Sequence, residues 1–425
     1  MRIVDALCVA GETGFFSDDQ LAIRRGAGSD GFVYTGEAVT AGFDAIRQAG
    51  ESVSVMLVLA DGHVAVGDCA TVQYAGAGGR ERAFRAESGA SELRHEVLPG
   101  LVGLDVSEVG PLARGVDRMT VMGRPLHAAL RYGLSQALLD AAAHQRGVTI
   151  AEIVRDEFAT GVELGPVPVY AQCGDDRYVN VDKMILKRVD VLPHGLINTV
   201  GKLGRHGELL AEYVSWLRSR ILLLAPDAAY RPVLHLDVYG TVGMIFDGDL
   251  RRVADYLAEL GRLAHPFPLR LEHPVDAGSR AGQIEAFVQL RALLAAHDPH
   301  VELVVDEWCN TLDDVAAFVD ARAADVIHVK TPDLGGLTNT IDALLRVNRA
   351  GLKAFAGGTC NETEISAKVC THVAMACGAS QVLAKPGMGV DEGLMIVRNE
   401  MARTLALAAR RPTAGVPVAA VRPSD

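Results

Sequence analysis

Residues 301–336 read VELVVDEWCNTLDDVAAFVDARAADVIHVKTPDLGG. The segment opens with an apolar, β-branched run, Val301–Asp306, which is typical of a strand that is buried on both faces. Apolar residues then recur with helical spacing over Asp313–Arg322. A second apolar run follows at Val326–Lys330. This order of strand, helix and strand predicts one unit of a parallel sheet.

The same unit recurs along the chain from about residue 166 onward. Other segments with helical spacing lie between the runs, at Leu250–Leu263, Gln283–Ala296 and Thr338–Asn348. Eight such units predict a (β/α)8 barrel of the TIM type; a doubly wound open sheet is the alternative, although it usually has fewer strands. The predicted strands are Val167–Gln172, Val189–Pro193, Val233–Val238, Leu269–His273, Val301–Asp306, Val326–Lys330, Lys353–Ala356 and Gln381–Ala384.

The first part of the chain has a different pattern. Ser52–Leu59 resembles a strand, Asp61-Gly62 marks a turn, and Leu126–Arg146 has helical spacing that ends at Gly147. A chain of 425 residues is long enough for two domains. We therefore expect an N-terminal α+β domain over residues 1–165, the barrel over 166–410, and an Ala- and Pro-rich tail over 411–425.

Composition narrows the functional classes. The formal net charge is -12 and no Lys/Arg run forms a basic patch, so we expect no nucleic-acid partner. The apolar runs are too short to cross a bilayer, and the N-terminus does not resemble a signal peptide. The seven cysteines are scattered and form no CxxC pair. This usage predicts a reducing, cytoplasmic location and no membrane association.

Three consecutive predicted strands carry an acid at or next to their carboxyl end: Asp237, Glu272 and Asp306. The carboxyl ends of barrel strands meet at one rim, where crowded carboxylates would repel one another unless a cation bound them. Oxygen ligands favour Mg2+, with Mn2+ as the second choice. The alternative is that each acid merely caps the helix that follows it.

Two further residues at the predicted rim could move protons. Lys330 ends the sixth strand beside the three acids, either as a salt-bridge partner or as a base whose pKa a nearby cation lowers. His194 follows the second strand and would face Lys330 across the barrel mouth; alone it would be an ordinary loop residue. A Lys or His base that acts beside Mg2+ removes the proton α to a carboxylate, and the cation holds the enolate charge.

Two glycine-containing segments are candidates for the rest of the site. After the seventh strand, Gly357-Gly358-Thr359-Cys360 could approach a substrate carboxylate closely, and Thr359 has capping-box spacing to Glu362; a plain tight turn is the alternative. In the first domain, the segment 71–80 (TVQYAGAGGR) lacks the Lys of a phosphate-binding loop. It is either a mobile lid over the barrel or an exposed linker.

Four motifs resemble methylaspartate ammonia-lyases, a family of the enolase superfamily: QCGDDRY at 172–178, DVLPH at 190–194, HLDVYG at 235–240 and KTPDLGG at 330–336. The resemblance covers all of the chain except the tail. It implies elimination of ammonia from 3-methylaspartate to give mesaconate, by a homodimer that a monovalent cation such as K+ activates. It assigns Mg2+ to Asp237, Glu272 and Asp306, and it makes Lys330 and His194 the bases for the two epimers at C3. It further implies that Gln172, Thr359 and Cys360 hold substrate carboxylates, and that Gln73 and Leu383 line the pocket.

The chain departs from the family pattern at three positions, where His328 replaces Gln, Tyr170 replaces Phe and Phe355 replaces Tyr. The family's Gln donates a hydrogen bond to a substrate carboxylate. A neutral His328 could also donate from one ring nitrogen, whereas a cationic His328 would add an acid-side titration to kcat/KM. The exact substituent at C3 is therefore left open.

Three other functions remain as alternatives. Another enolase-superfamily enzyme, such as a lactonising enzyme, racemase or acid-sugar dehydratase, would share the fold, but the second strand lacks the Lys-x-Lys that is frequent in lactonising enzymes. Lys330 could form a Schiff base, as in an aldolase. A barrel that binds without catalysis is the third alternative, which the three acids and the Lys argue against.

Overall fold

The computed structural model describes residues 1–297 and 300–410, so the predicted tail at 411–425 lies outside the described residues. The N-terminal part is built on an antiparallel sheet in which Arg47–Leu59 lies between Ile3–Asp18 and Val64–Cys69. The hairpin predicted at Asp61-Gly62 is confirmed, because the amide of Leu59 donates to the carbonyl of His63 across it at 2.8 Å.

The predicted long helix is present as Ala128–Arg146 and packs against the last strand of this sheet. It begins two residues later than Leu126, because Nδ1 of His127 accepts the amide of Ala129 and so caps the helix. Two glycines allow the close contact: a Cβ on Gly67 would lie 2.1 Å from the carbonyl oxygen of Gly133. The remaining helices of this part are Gln20–Arg24, Ala86–Glu92, Leu93–Val97 (π), Leu98–Leu101, Val109–Asp117 and Ile150–Glu157, and its short strands are Gly28–Asp30, Val33–Thr35, Thr120–Val121 and Arg124–Pro125.

The second part of the chain is the predicted barrel. Within the described residues, eight parallel strands pair in sequence order and the eighth closes on the first. Each observed strand lies within two residues of its prediction, and Lys353–Ala356 has the predicted bounds. The strands are Val169–Gly174, Val191–Gly195, Val233–Asp237, Leu269–Glu272, Val301–Val305, Val326–Val329, Lys353–Ala356 and Gln381–Leu383.

Helices surround the barrel between these strands, and their starts are locally encoded. Thr311 and Asp314, for example, form a capping box at the start of Leu312–Asp320. The helices are Arg177–Leu186, Val200–Leu203, Glu208–Leu224, Thr241–Ile245, Leu250–Ala264, Arg280–Leu294, Leu312–Asp320, Leu337–Arg349, Glu364–Cys377 and Asp391–Ala409. Over residues 1–297 and 300–410, none of the helices combines the length and the apolar character that a membrane span requires.

An apolar cluster fills the barrel below its mouth. Tyr170, Phe355 and Leu383 belong to it, together with Val191, Val304 and Val326. This cluster is separate from the main core, which lies between the strands, the helices and the N-terminal sheet. Polar side chains also lie near the amino ends of the strands, where Arg270 pairs with Glu302 and contacts Gln381. The apolar cluster therefore forms one layer of the barrel interior beneath the residues at its mouth.

Candidate active site

A small cavity lies at the carboxyl ends of the barrel strands, under the N-terminal part of the chain. Eight of the residues predicted for the site line it: Gln73, Gln172, His194, Asp237, His328, Lys330, Thr359 and Cys360. Glu272 and Asp306 lie directly behind them, in contact with His328 and Lys330. Leu383 instead lies in the apolar cluster of the barrel interior and is not among the cavity-lining residues.

The three acids are adjacent and buried. Asp237 and Glu272 end neighbouring strands in the same register, and Asp306 directly follows the next strand. The backbone turns sharply after each acid, since Tyr239, His273 and Trp308 have φ values of 49°, 51° and 66°. Positive φ in residues with side chains is costly and persists where the surroundings enforce it, which is common at functional sites.

Each acid has a different set of partners. Glu272 is held on both oxygens, by Nε2 of His235 at 2.9 Å and by Nδ1 of His328 at 2.6 Å. Burial opposes ionisation of Glu272, but these two histidines hold its pKa well below the usual range. Asp306 accepts from Lys330 Nζ at 2.6 Å and from Arg80 at 3.0 Å. Burial would raise the pKa of Asp306, but Lys330 and Arg80 keep it lowered.

Asp237 lacks such compensation. It accepts the amide of Tyr239 at 3.1 Å, and Nε2 of His194 is 3.6 Å away. In the described part of the chain, no Lys or Arg lies within ion-pair distance of it. Burial, together with the charges of Glu272 and two further acids, raises the pKa of Asp237 well above its usual range. Asp237 and Glu272 lie with His194 in a group whose possible ligand atoms are within 4.8 Å of one another, and Glu272 and Asp306 form a second such group with His328. A buried carboxylate with excess negative charge around it fits a divalent cation.

Lys330 and His194 both line the cavity, and the strands associated with the three acids lie between theirs in the barrel. Burial and Arg80 lower the pKa of Lys330, but Asp306 and other acids outweigh them, so its pKa lies above the usual value. The opposite holds for His194, because burial lowers its pKa to about 4. Nδ1 of His194 is buried and has no protein partner among the described residues. His194 is therefore neutral near pH 7 and can accept a proton.

The segment 71–80 covers the barrel mouth, and its last residue enters the site. The side chain of Arg80 is 1% exposed and pairs with Asp306, with Asp333 at 2.9 Å and with Glu307 at 3.5 Å. The interpretation as an exposed linker is wrong for this segment; whether it moves as a lid stays a prediction. Sequence reasoning missed Arg80, since a charged residue after two glycines gives no indication of distant partners.

The residues predicted to hold substrate carboxylates interact with one another and with the first part of the chain. Oγ1 of Thr359 accepts the amide of Gln73 at 3.2 Å, and the thiol of Cys360 lies 3.4 Å from Oε1 of Gln73. Nε2 of Gln172 donates to the carbonyl of Ala384 at 3.0 Å. Polar groups from both parts of the chain thus converge on the cavity.

The capping box predicted for Thr359 and Glu362 is wrong. The next helix, Glu364–Cys377, begins later, and Thr363 with Ser366 forms its capping box. The amide of Thr359 does donate to Oε1 of Glu362, at 3.1 Å, but the turn between them is not helical. The carboxylate of Glu362 is instead buried against Lys385, which sequence reasoning also missed.

Comparison with known proteins identifies the family. Models of the methylaspartate ammonia-lyase N-terminus and C-terminus match residues 1–159 and 161–410. A methylaspartate ammonia-lyase of Clostridium tetanomorphum is 56% identical over 412 residues, which make up 97% of this chain and 100% of that protein. The chain belongs to the methylaspartate ammonia-lyase family.

Solved structures agree with this membership. The methylaspartate ammonia-lyase of Citrobacter amalonaticus containing (2S,3S)-3-methylaspartic acid superposes with a TM-score of 0.93 at 52% identity, covering 96% of this chain and 100% of that one. The Mg complex of Clostridium tetanomorphum β-methylaspartase gives a TM-score of 0.92 at 55% identity, covering 97% and 100%. A muconate lactonizing enzyme from Pseudomonas fluorescens shares only the fold, with a TM-score of 0.59 at 17% identity over 87% of this chain and 83% of that one.

The three residues at which the sequence was expected to depart from the family pattern, His328, Tyr170 and Phe355, lie side by side. The ring of Phe355 lies 4.2 Å from that of His328 and 5.5 Å from that of Tyr170. Tyr170 stacks on His235 at 4.3 Å and donates to its carbonyl at 2.9 Å. Both ring nitrogens of His328 are engaged, because Nδ1 binds Glu272 and Nε2 accepts the amide of Gly358 at 3.2 Å. His328 thus borders the cavity while its hydrogen bonds go to protein groups.

Proposed function

We propose that this chain eliminates ammonia from 3-methylaspartate, or from a related aspartate substituted at C3, to give mesaconate or its analogue. Membership of a family of carbon–nitrogen lyases supports the reaction class. The Citrobacter amalonaticus relative, whose structure contains (2S,3S)-3-methylaspartic acid, supports the substrate class. The C3 proton is removed, the bond from C2 to nitrogen breaks, and a C2–C3 double bond forms as ammonia leaves.

One observation supports the proposal most directly: Lys330 and His194 both border the cavity, and the strands associated with the three buried acids lie between theirs in the barrel. Lys330 takes the C3 proton of the (2S,3S) epimer, and His194 takes it from the opposite face in the other epimer. The lowered pKa of His194 keeps it in the basic form that this role requires.

Asp237, Glu272 and Asp306 would hold Mg2+, or Mn2+ in its place. The excess negative charge around Asp237 supports this assignment, and so does the Mg complex of the Clostridium tetanomorphum relative. Mg2+ held there supplies positive charge that stabilises the carboxylate as C3 is deprotonated, and it offsets the acids that keep Lys330 protonated.

Six further residues would bind the substrate. Gln172, Thr359 and Cys360 hold its carboxylates, and Gln73 fixes both Thr359 and Cys360 by direct contacts. His328 borders the same space through its ring, and Leu383 supports the pocket from the barrel interior.

The remaining features follow from the family resemblance. We propose activation by a monovalent cation such as K+, a homodimer and a cytoplasmic location. The cytoplasmic location is supported by the cysteines, since all seven are described and none forms a disulfide. Replacement of K+ by Li+ in the assay tests the proposed activation by a monovalent cation. Light scattering at micromolar concentration tests the proposed homodimer.

Ammonia release tests the proposed function. Aspartates that carry hydrogen, methyl, ethyl or hydroxymethyl at C3 are compared with Mg2+, with Mn2+ and after rigorous chelation. We expect the 3-methyl substrate to give a high kcat/KM with Mg2+ and no turnover in chelated enzyme. Turnover that survives chelation, or that borohydride abolishes by trapping Lys330 with a carbonyl compound, would contradict the proposal.

A further inference from the structure

A second charged cluster lies beside the cavity, and the mechanism above does not use it. Lys385 and Glu362 form an ion pair at 2.8 Å, and both side chains are 0% exposed. The ammonium group uses all three of its donors, on Glu362 Oε1, on the carbonyl of Gly357 at 2.9 Å and on Oγ1 of Thr331 at 3.0 Å. The pair is therefore a closed, electrically neutral unit.

The contacts of Lys385 join the ends of three barrel strands. Thr331 follows Lys330 at the end of the sixth strand, Gly357 directly follows the seventh strand, and Lys385 itself lies just beyond the eighth. Lys330 is the proposed base, and the turn after Gly357 carries two of the proposed substrate ligands. One ammonium group thus fixes the relative positions of the strand ends that carry them.

Glu362 extends this control to the turn itself. Its Oε1 accepts the amide of Thr359 at 3.1 Å. The turn lies so close to the ion pair that a Cβ on Gly358 would be 2.3 Å from Glu362 Oε1 and 2.3 Å from Lys385 Nζ. Gly358 also has a φ of +135°, which side chains rarely adopt. The backbone that carries Thr359 is therefore shaped directly around the two charged groups.

The cluster also reaches the N-terminal part of the chain. The hydroxyl of Tyr132, on the helix Ala128–Arg146, donates to Oε2 of Glu362 at 2.6 Å. The backbone carbonyl of Glu362 accepts the amide of Gly14, from the first strand, at 2.8 Å. Glu362 thus connects the substrate turn to two elements of the part that covers the barrel.

We infer that the Lys385–Glu362 pair is a positioning device for the substrate site, which holds the turn of Thr359 and Cys360 in register with Lys330 and with the N-terminal part. This inference rests on the function proposed for Thr359, Cys360 and Lys330. Lys385 and Glu362 themselves do not touch the reacting atoms in the proposed reaction. A buried ion pair is a weak source of stability, because the desolvation of two charges offsets their attraction. Accurate placement is the property that such a pair, with every donor used, supplies.

The double variant Lys385→Met/Glu362→Gln tests the inference, because it removes both charges together and leaves no unpaired ion. We expect a folded enzyme with unchanged Mg2+ affinity and a kcat/KM about a hundredfold lower, mainly through KM, as expected for substrate ligands displaced by about 1 Å. The buried thiol of Cys360 should also react several-fold faster with iodoacetamide, while Cys69 in the N-terminal sheet keeps its rate.

The control is Arg291→Met/Asp325→Asn, which removes a less buried ion pair of 2.8 Å at the opposite end of the barrel. It should lower stability and leave KM and the Cys360 labelling rate unchanged. If the Lys385/Glu362 variant behaves in the same way, the pair is only structural and the inference is wrong. Should the double variant not fold, Tyr132→Phe removes a single hydroxyl and is judged by the same KM and labelling measurements. Absence of ammonia release in the wild type would overturn the proposed function, whereas the labelling rates would still report on the pair.

Discussion

Two clusters of buried charge lie at the mouth of the same barrel, and they differ in how their charges are balanced. Around Lys385 and Glu362, each donor of the ammonium has a protein acceptor and the charges cancel. Around Asp237, three acids converge, and among the described residues no cation other than the distant His194 is within ion-pair distance of Asp237 itself. A balanced cluster can hold a structure in place, whereas an unbalanced one is completed by a ligand.

Mutation of the unbalanced cluster around Asp237 should lower activity far more than it affects folding. Glu272→Gln keeps the shape of the side chain but removes the charge of a proposed metal ligand. We expect kcat/KM to fall by at least about a thousandfold and Mg2+ binding, measured by isothermal titration, to weaken strongly. Glu285→Gln, on the exposed face of the helix Arg280–Leu294, is the control and should change neither. Equal activities of the two variants would argue against a catalytic metal at Glu272.

Each of the two proposed bases should be required for a different epimer of the substrate. Lys330→Ala should stop exchange of the C3 proton with solvent deuterium in the (2S,3S) substrate, a loss of about a hundredfold to ten-thousandfold. His194→Ala should mainly lower turnover of the (2S,3R) epimer, because His194 is the proposed base for that face of C3. Mass spectrometry of recovered substrate measures both. Equal losses of both epimers in both variants would show that the residues act as a unit.

Substitution of His328 tests whether this neighbour of the three acids affects Mg2+ binding by positioning Glu272. Its Nδ1 orients Glu272, so His328→Gln should weaken Mg2+ affinity by about tenfold, as is typical when a hydrogen-bond partner of a metal ligand is lost. Isothermal titration of Mg2+ into both proteins measures this difference. Equal Mg2+ affinities of the two proteins would contradict a role of His328 in positioning Glu272.

The smallest effect concerns stability without metal. The pKa of Asp237 is raised in the folded state, so the folded protein binds its proton more tightly than the unfolded chain does. Ionisation of Asp237 therefore costs more free energy in the folded protein than in the unfolded chain. This destabilisation is absent below the unfolded pKa of about 3.9 and grows as the pH rises above it. Asp237→Asn should therefore stabilise the chelated protein at pH 7 by about 1 kcal/mol, and less at pH 5. Calorimetry of both proteins measures this, and a destabilised variant would contradict the assigned charge imbalance.

The same contrast separates what the sequence could predict from what it could not. The strands and Asp237, Glu272 and Asp306 follow from local patterns, since an acid after an apolar run is visible in the sequence alone. The partners of Lys385, at Glu362 and Tyr132, are distant in the chain and come together only through the fold. The capping box predicted at Thr359 is wrong although Glu362 accepts the Thr359 amide, because the helix begins only at Glu364 and Thr363 with Ser366 caps it.

The central claim is that the three acids form one metal site between the two bases. Anomalous diffraction from crystals of this protein soaked in Mn2+ tests it most directly, because the peak reports the position of the ion itself. We predict a single strong peak bounded by carboxylate oxygens of Asp237, Glu272 and Asp306. The experiment uses Mn2+ concentrations that support ammonia release. An anomalous peak elsewhere, with no peak among these three acids, would contradict the proposed metal site.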